Sequence, residues 1–444
     1  MSNLALRVGA APLAIQWLKP FTSSRRKLGP ELSPQEVLQY AMALKQLGAP
    51  QLALSHFVAL ESDDLPEAWL YGAITLFTQA RHHEAIPKLQ KYLSFERLTH
   101  YQRLIGGLNL GAAYIFEKRF KEADQLLKVV SAEAEKMQLH LIHGNSLELR
   151  AQIHILGRDI QGAEHLLRQA EKFIHNSAPV YQLFLKKWTA VLELLRSDSS
   201  RQALQKMAQV RENAKALNHW ETLRECDFYE AIYSANEELC LYVYFGSPYS
   251  AYRQRLIDFY PHKIRIPESY NWHGTPFPNP TPVDHLDLRG LKPKGTTHQI
   301  LRLLCSDFYN PIRPINFFTL LYPKERIDPE SALPRIFNTI SRAKKWLKNE
   351  GYPLEISHDD EAYRLKWLAP FSILLPHSLE VEAPQVRILR ELRQAFQKCE
   401  FTSTQAAATL KLPKRSLVRF LGQCVAAGDL KSHGQGRSQR YSLP

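Results

Sequence analysis

The chain lacks most of what would let it span a membrane, hold a redox centre or run a familiar catalytic cycle. No apolar run approaches the roughly 18 to 20 residues that a spanning helix needs, so a soluble, non-membrane protein is expected. Cysteine is scarce: Cys226, Cys240, Cys305, Cys399 and Cys424 are scattered and odd in number, which argues against a disulfide framework and for buried, reduced thiols in a cytoplasmic protein. No Gly-x-Ser-x-Gly elbow, nucleotide fingerprint or phosphoacceptor domain is present. The stretch Gly290 to Thr296 has the outline of a phosphate loop, but it lacks the Lys before the Thr and is interrupted by proline. His140 and His143 share a helix face without a third ligand in register, so no metal is expected. An enzyme is therefore not expected, and neither is a cofactor. Acids are missing from the first 30 residues, where Arg7, Lys19, Arg25, Arg26 and Lys27 precede Glu31. This basic segment, 1–30, is expected to fray or to cap the domain that follows instead of serving as a leader.

What the chain does have is positive charge, and most of it lies at one end. Residues 292–444 carry 24 Lys and Arg against 14 Asp and Glu, a net +10, whereas residues 1–291 carry 33 against 30, a net +3. A concentrated positive surface is rewarded by counterion release from a phosphate backbone, and the sequence pI of about 9.4 fits a nucleic-acid binder.

The last 60 or so residues have helix-turn-helix spacing. Val386, Leu389, Leu392 and Phe396 recur at helical intervals between Pro384 and Cys399. A short helix capped by Thr402 or Ser403 follows, and Lys411-Leu412-Pro413 turns the chain into a last helix near Lys414. On a helical wheel Leu417, Val418, Leu421, Cys424 and Val425 gather on one side, while Arg415, Ser416, Arg419 and Gln423 gather on the other. After Gly428, two extended pieces flank a Gly434-Gln435-Gly436 turn, with His433, Arg437 and Arg440 near its tip. This segment, 380–444, resembles the winged-helix domains of bacterial regulators, which implies a DNA-binding role for Lys414, Arg415, Ser416, Arg419, Gln423, His433, Arg437 and Arg440.

A second such unit precedes it, over 295–370. Ile300, Leu301, Leu303 and Leu304 predict one helix, Pro314 to Leu321 a second, and Pro329 to Lys348 a long third helix capped by Asp328. In the third helix Leu333, Ile336, Phe337, Ile340, Ala343 and Leu347 form an apolar face, and Arg335, Asn338, Arg342 and Lys345 fall within roughly 80° on the opposite one. Arg and Asn suit guanine and adenine edges. A hairpin from Leu354-Glu355-Ile356 to Tyr363-Arg364-Leu365 is expected to close the unit. The run from Ile336 through Arg342, Lys344 and Lys345 to Leu347, followed by a hairpin closing on Tyr-Arg-Leu, resembles the OmpR-type winged helix of response regulators and related activators. Its expected tip, His358 to Glu361, is acidic and suits a protein contact better than a phosphate.

The first half is organised differently. Leu110-Gly111-Ala112-Ala113-Tyr114, then Ala123 and Leu127, resembles the tetratricopeptide (TPR) pattern. Aligning other segments on that alanine gives comparable units around Ala53 and Phe57, Ala85 and Leu89, Ala163 and Leu167, and Ala203 and Met207. Small residues let paired helices approach and bulky ones fill the gaps between pairs, so an α-solenoid is expected over 31–260, with an aromatic-rich final helix pair. Its concave face would take a peptide, protein or small ligand, or the solenoid could join two copies in a homodimer. Residues 261–294 hold seven prolines and are expected to form an extended linker that packs across a domain surface through Tyr270, Trp272 and Phe277. The fold class expected is mainly α, a TPR-like solenoid followed by tandem winged helices. The expected function is a cytoplasmic transcriptional regulator that binds double-stranded DNA, the alternative being a non-catalytic scaffold that binds only proteins.

Overall fold

The computed structural model describes residues 11–22, 33–197, 201–276, 285–287, 295–322, 327, 329–359, 361–376, 392, 395–396, 399–410, 414–426, 430–434 and 439–442. The chain is mainly helical and divides into two compact units, Met1–His377 and Ser378–Pro444. No described helix is long and apolar enough to cross a membrane.

The first unit begins with helix α1 (Ala11–Thr22), which buries Ala11, Ala14, Ile15 and Leu18 and so gives part of the basic N-terminal segment a packed role. Paired helices follow: α2 (Pro34–Gln46) with α3 (Pro50–Ala59), α4 (Pro66–Phe77) with α5 (His82–Leu93), and α6 (His100–Phe116) with α7 (Phe120–Lys136). Next come α8 (His140–Leu156) with α9 (Ile160–Ile174), α10 (Pro179–Ser197) with α11 (Arg201–Ala216), α12 (Trp220–Tyr233) with α13 (Glu237–Phe245), and finally α14 (Ser250–Phe259). Each helix packs chiefly on its sequence neighbours. Ser33 and Thr99 start their helices with reciprocal capping boxes to Glu36 and Gln102. The aligned alanines Ala53, Ala85, Ala123, Ala163 and Ala203 are all buried, as are the bulky residues one turn on, Phe57, Leu89, Leu127, Leu167 and Met207. At Gly111 the approach is close: a Cβ there would lie 2.6 Å from Leu127 Cδ2. Four cysteines are buried and Cys399 is exposed; burial pushes the Cys226 thiol up to about 12.

The same unit continues into two small sheets and three more helices. Strand β1 (Ser269–Trp272) runs antiparallel and β2 (His285–Asp287) parallel to a central β5 (Ser372–Pro376). The proline-rich segment thus supplies two strands instead of acting only as a spacer, while Phe277 to Pro282 lie outside the described residues. Between β2 and β5 come α15 (Thr296–Leu304), α16 (Pro314–Leu321), α17 (Pro329–Asn349) and the hairpin β3 (Leu354–Asp359) and β4 (Ala362–Trp367). Gly290 to Lys294 and Asp328 are also outside the described residues; Gly295 stands at the N-cap of α15.

This region is fastened to the helical pairs by a buried ionic and aromatic seam. Arg224 on α12 donates to Asp307 at 2.5 Å and to Glu221 at 2.7 Å, and its guanidinium lies over the rings of Tyr249, Tyr252 and Tyr309. Asp307 also accepts the backbone N–H groups of Tyr309 and Asn310. The Tyr309 hydroxyl donates to Asp227, which is held in turn by Arg211. Phe308 stacks on Trp272 at 4.0 Å, and a Cβ at Gly246 would meet the Phe308 ring at 2.5 Å. Removing one partner of a buried pair strands the other charge away from water. Arg224→Met is therefore expected to destabilise the first unit by about 3–5 kcal/mol in chemical denaturation, with an unchanged midpoint as the contrary result.

A second buried charge makes a pH prediction. Glu148 is 5% exposed and accepts from Gln152; burial pushes its carboxyl from 4.5 up to about 7, against the pull of Lys187, which itself pairs with Glu225 at 2.5 Å. Below pH 4.5 the carboxyl is neutral in both folded and unfolded chains. Between 4.5 and about 7 the unfolded chain loses the proton while the folded one keeps it, so stability falls as pH rises and levels off above about 7. Glu148→Gln should remove that decline, which is on the order of 3 kcal/mol. Parallel stability profiles for the two proteins between pH 5 and 8 would contradict the assignment.

Candidate nucleic-acid interface

Helix α17 is built on an apolar stripe. Ala332, Ile336, Ile340, Ala343 and Leu347 are buried against α15 and α16, and the spacing of three and four residues leaves the reverse face to solvent. Arg335, Asn338, Arg342 and Lys345 are all exposed on that reverse face, brought together as their spacing requires. Arg335 rests its guanidinium 4.1 Å from the centre of the Tyr322 ring and 5.6 Å from that of Phe318, which orients it along the helix. Arg342 and Lys345 have no acid within ion-pair distance among the described residues. Arg342 and Lys345 can thus donate hydrogen bonds and present charge without first breaking an ion pair among the described residues.

Two side chains depart from the wheel. Phe337, placed on the apolar face by its spacing, is 43% exposed and turns its ring toward His358 in the hairpin at 6.5 Å. Trp346 is half-buried against Tyr352 and borders the polar face. The hairpin pairs Ile356 with Leu365 and Asp359 with Ala362, and Glu361 takes the left-handed backbone (φ 62°) at its turn; Asp360 lies outside the described residues. Tyr363 of β4 bridges back to Ile312 through both backbone hydrogen bonds, fixing the hairpin to the segment before α16.

In the second unit, Thr402 caps α18 (Ser403–Thr409) through a reciprocal box with Gln405. Helix α19 (Lys414–Ala426) buries Leu417, Phe420, Leu421 and Cys424 with Leu392, Phe401, Leu430 and Tyr441. Val418, expected on the packed side, is 44% exposed, and Phe420 fills the core in its place. Strand β8 (Arg440–Ser442) lies between β6 (Phe401–Thr402) and β7 (Lys431–His433), with His433 opposite Arg440. Gly434 opens the turn with φ 77°, a conformation glycine adopts without strain. His433 and Arg440 are exposed, and Arg440 lies 3.7 Å from Glu400. Lys414, Arg415, Ser416, Arg419 and Gln423 lie on α19, but their side chains are outside the described residues, as is Arg437. Most of the expected first helix of this unit, Pro384 to Cys399, is outside them too.

The remaining candidates take other roles. His143 is buried and bonded through Nδ1 to the Ser131 hydroxyl and carbonyl. The seam around Arg224 had no signal in the local pattern, because Asp307 is 83 residues away and a lone Arg among aromatics reads as surface. No family model matches the chain, and no curated protein matches it in sequence.

The exposed row yields a mutational expectation. Because Asn338 and Arg342 have no ion pair to lose among the described residues, Asn338→Ala with Arg342→Ala should leave the thermal midpoint unchanged while lowering duplex DNA affinity by about 1–3 kcal/mol for each base edge no longer read. Loss of stability in that variant would show the face to be structural.

Proposed function

We propose that the chain is a cytoplasmic, non-catalytic regulator of transcription that binds double-stranded DNA through two winged helices carried on TPR-like repeats. The observation that carries the reading is the row Arg335, Asn338, Arg342 and Lys345, exposed on a helix whose other face is packed. The arrangement of three helices and a hairpin around it suits insertion of α17 into a major groove. The basic end of the chain supplies the long-range attraction. In the second winged helix α19 plays the same part, with Arg415 and Arg419 as phosphate or base contacts and His433, Arg437 and Arg440 around the wing. The helical pairs serve as input domain, taking a ligand or partner or setting a dimer.

The scaffold reading draws on the hairpin tip, where Asp359 and Glu361 would repel a phosphate, and on Arg440 beside Glu400. A salt titration of binding to random duplex DNA separates the two. The regulator should bind at low salt, with log affinity falling linearly against log salt at a slope of about −0.9 per phosphate contacted. Arg415→Ala with Arg419→Ala should weaken binding and flatten that slope by up to about 1.8. Absence of binding at low salt, or an unchanged slope in the double variant, would contradict the assignment.

A further inference from the structure

Between the helical pairs and the β3–β4 hairpin lies a cavity of about 350 Å³ whose walls come from both. We propose that it is a binding site for a small oxyanion metabolite, one bearing phosphate or carboxylate groups, that bridges the repeats and the hairpin. Three cations line it: Lys45 from the last turn of α2, Arg313 at the start of α16, and Arg364 on β4. One acid, Asp359, faces them, and the amides of Asn218, Asn310 and Asn316 complete a donor-rich wall. The volume falls within the usual range of small-molecule sites, about 300 to 1,000 Å³.

None of the three cations is in an ion pair among the described residues, and other contacts fix Arg313 and Arg364 in place. Arg313 donates to the Gln46 carbonyl at 2.8 Å, and its side chain packs on Gly48, where φ is +84° and the chain turns between α2 and α3. Arg364 lies 4.9 Å above the Trp220 ring, and its Nε is buried without a hydrogen-bond partner. Lys45 is half-buried with no ion pair or hydrogen bond to its ammonium among the described residues, and burial pushes its pKa down. A desolvated ammonium without a counterion destabilises the empty protein. An entering oxyanion would remove that penalty and pair with a preformed set of donors.

The site also has a route to the proposed interface. Arg364 and Asp359 belong to the hairpin against which α17 packs, and the Tyr363 bridge ties that hairpin to the segment before α16. Occupancy would draw the hairpin toward the repeats. Binding of the anion itself needs no DNA, so it stands or fails separately from the function proposed above.

Calorimetric titration of the full chain with inorganic pyrophosphate and with citrate tests it, with sodium chloride at matched ionic strength as reference. Saturable binding at one site is expected, together with a raised unfolding midpoint. Lys45→Gln should weaken binding by about tenfold or more and raise the midpoint of the ligand-free protein, because it removes the unpaired charge. Lys136→Gln, an exposed lysine on α7 away from the cavity, should change neither. No heat beyond the salt reference, or equal binding in Lys45→Gln, would overturn the proposal. So would a Lys45→Gln variant that loses duplex DNA affinity without any small anion present, since the cavity would then be a seat for a DNA phosphate.

Discussion

The buried pair of Arg224 and Asp307 sets the terms for the rest of the first unit. Taking both charges out of water carries a cost that is offset only if every remaining donor and acceptor is used well. Here Asp307 also accepts two backbone N–H groups and the guanidinium lies among three tyrosines, but the Arg224 Nε is buried without a hydrogen-bond partner, so the cost is offset only in part. The pair is one link in a longer chain, Arg211 to Asp227 to Tyr309, that runs from the helical pairs into the turn before α16. Phe308, stacked on Trp272 and pressed against Gly246, closes the apolar side of the seam. Helix α17 and its exposed cations are therefore part of the same compact unit as the helical pairs.

That attachment constrains the proposed function. On the proposed reading, a helix α17 held in one unit with the helical pairs would not transmit a signal by releasing a tethered head. On that reading a signal would act by repacking the seam or shifting the hairpin. The unit 378–444 is compact on its own and carries its own core of Phe401, Leu417, Leu421 and Tyr441.

Much of the local order was legible because it is periodic. The alanines from Ala53 to Ala203 and Gly111 opposite Leu127 follow from the requirement that paired helices approach closely, and the buried stripe of α17 follows from 3.6 residues per turn. Thr402 or Ser403 could be read as the cap, and Thr402 takes that place through its box with Gln405. The illegible parts depend on contacts remote in sequence. Nothing near Ser269 or His285 announces that both strands pair with β5 about a hundred residues later, and proline content pointed instead to a spacer. Phe337 and Val418 have core spacing, yet they fall at the edges of their stripes, where the neighbouring element decides whether a ring or methyl is covered. The three cations around the cavity come from three separate stretches of the sequence, and only the tertiary fold brings them to one site.

The central claim is that the helical pairs and the region from α15 to β5 are one cooperative structure. Native-state hydrogen exchange on the full chain, followed as a function of denaturant, tests it most directly. Amides in α12 and in α16–α17 should converge on the same opening free energy and the same denaturant dependence, because neither side keeps its partners once Arg224 and Asp307 part. If α15–α17 instead opened together at a lower free energy while α10–α13 stayed protected, α17 would belong to a separate module, contradicting a single cooperative structure.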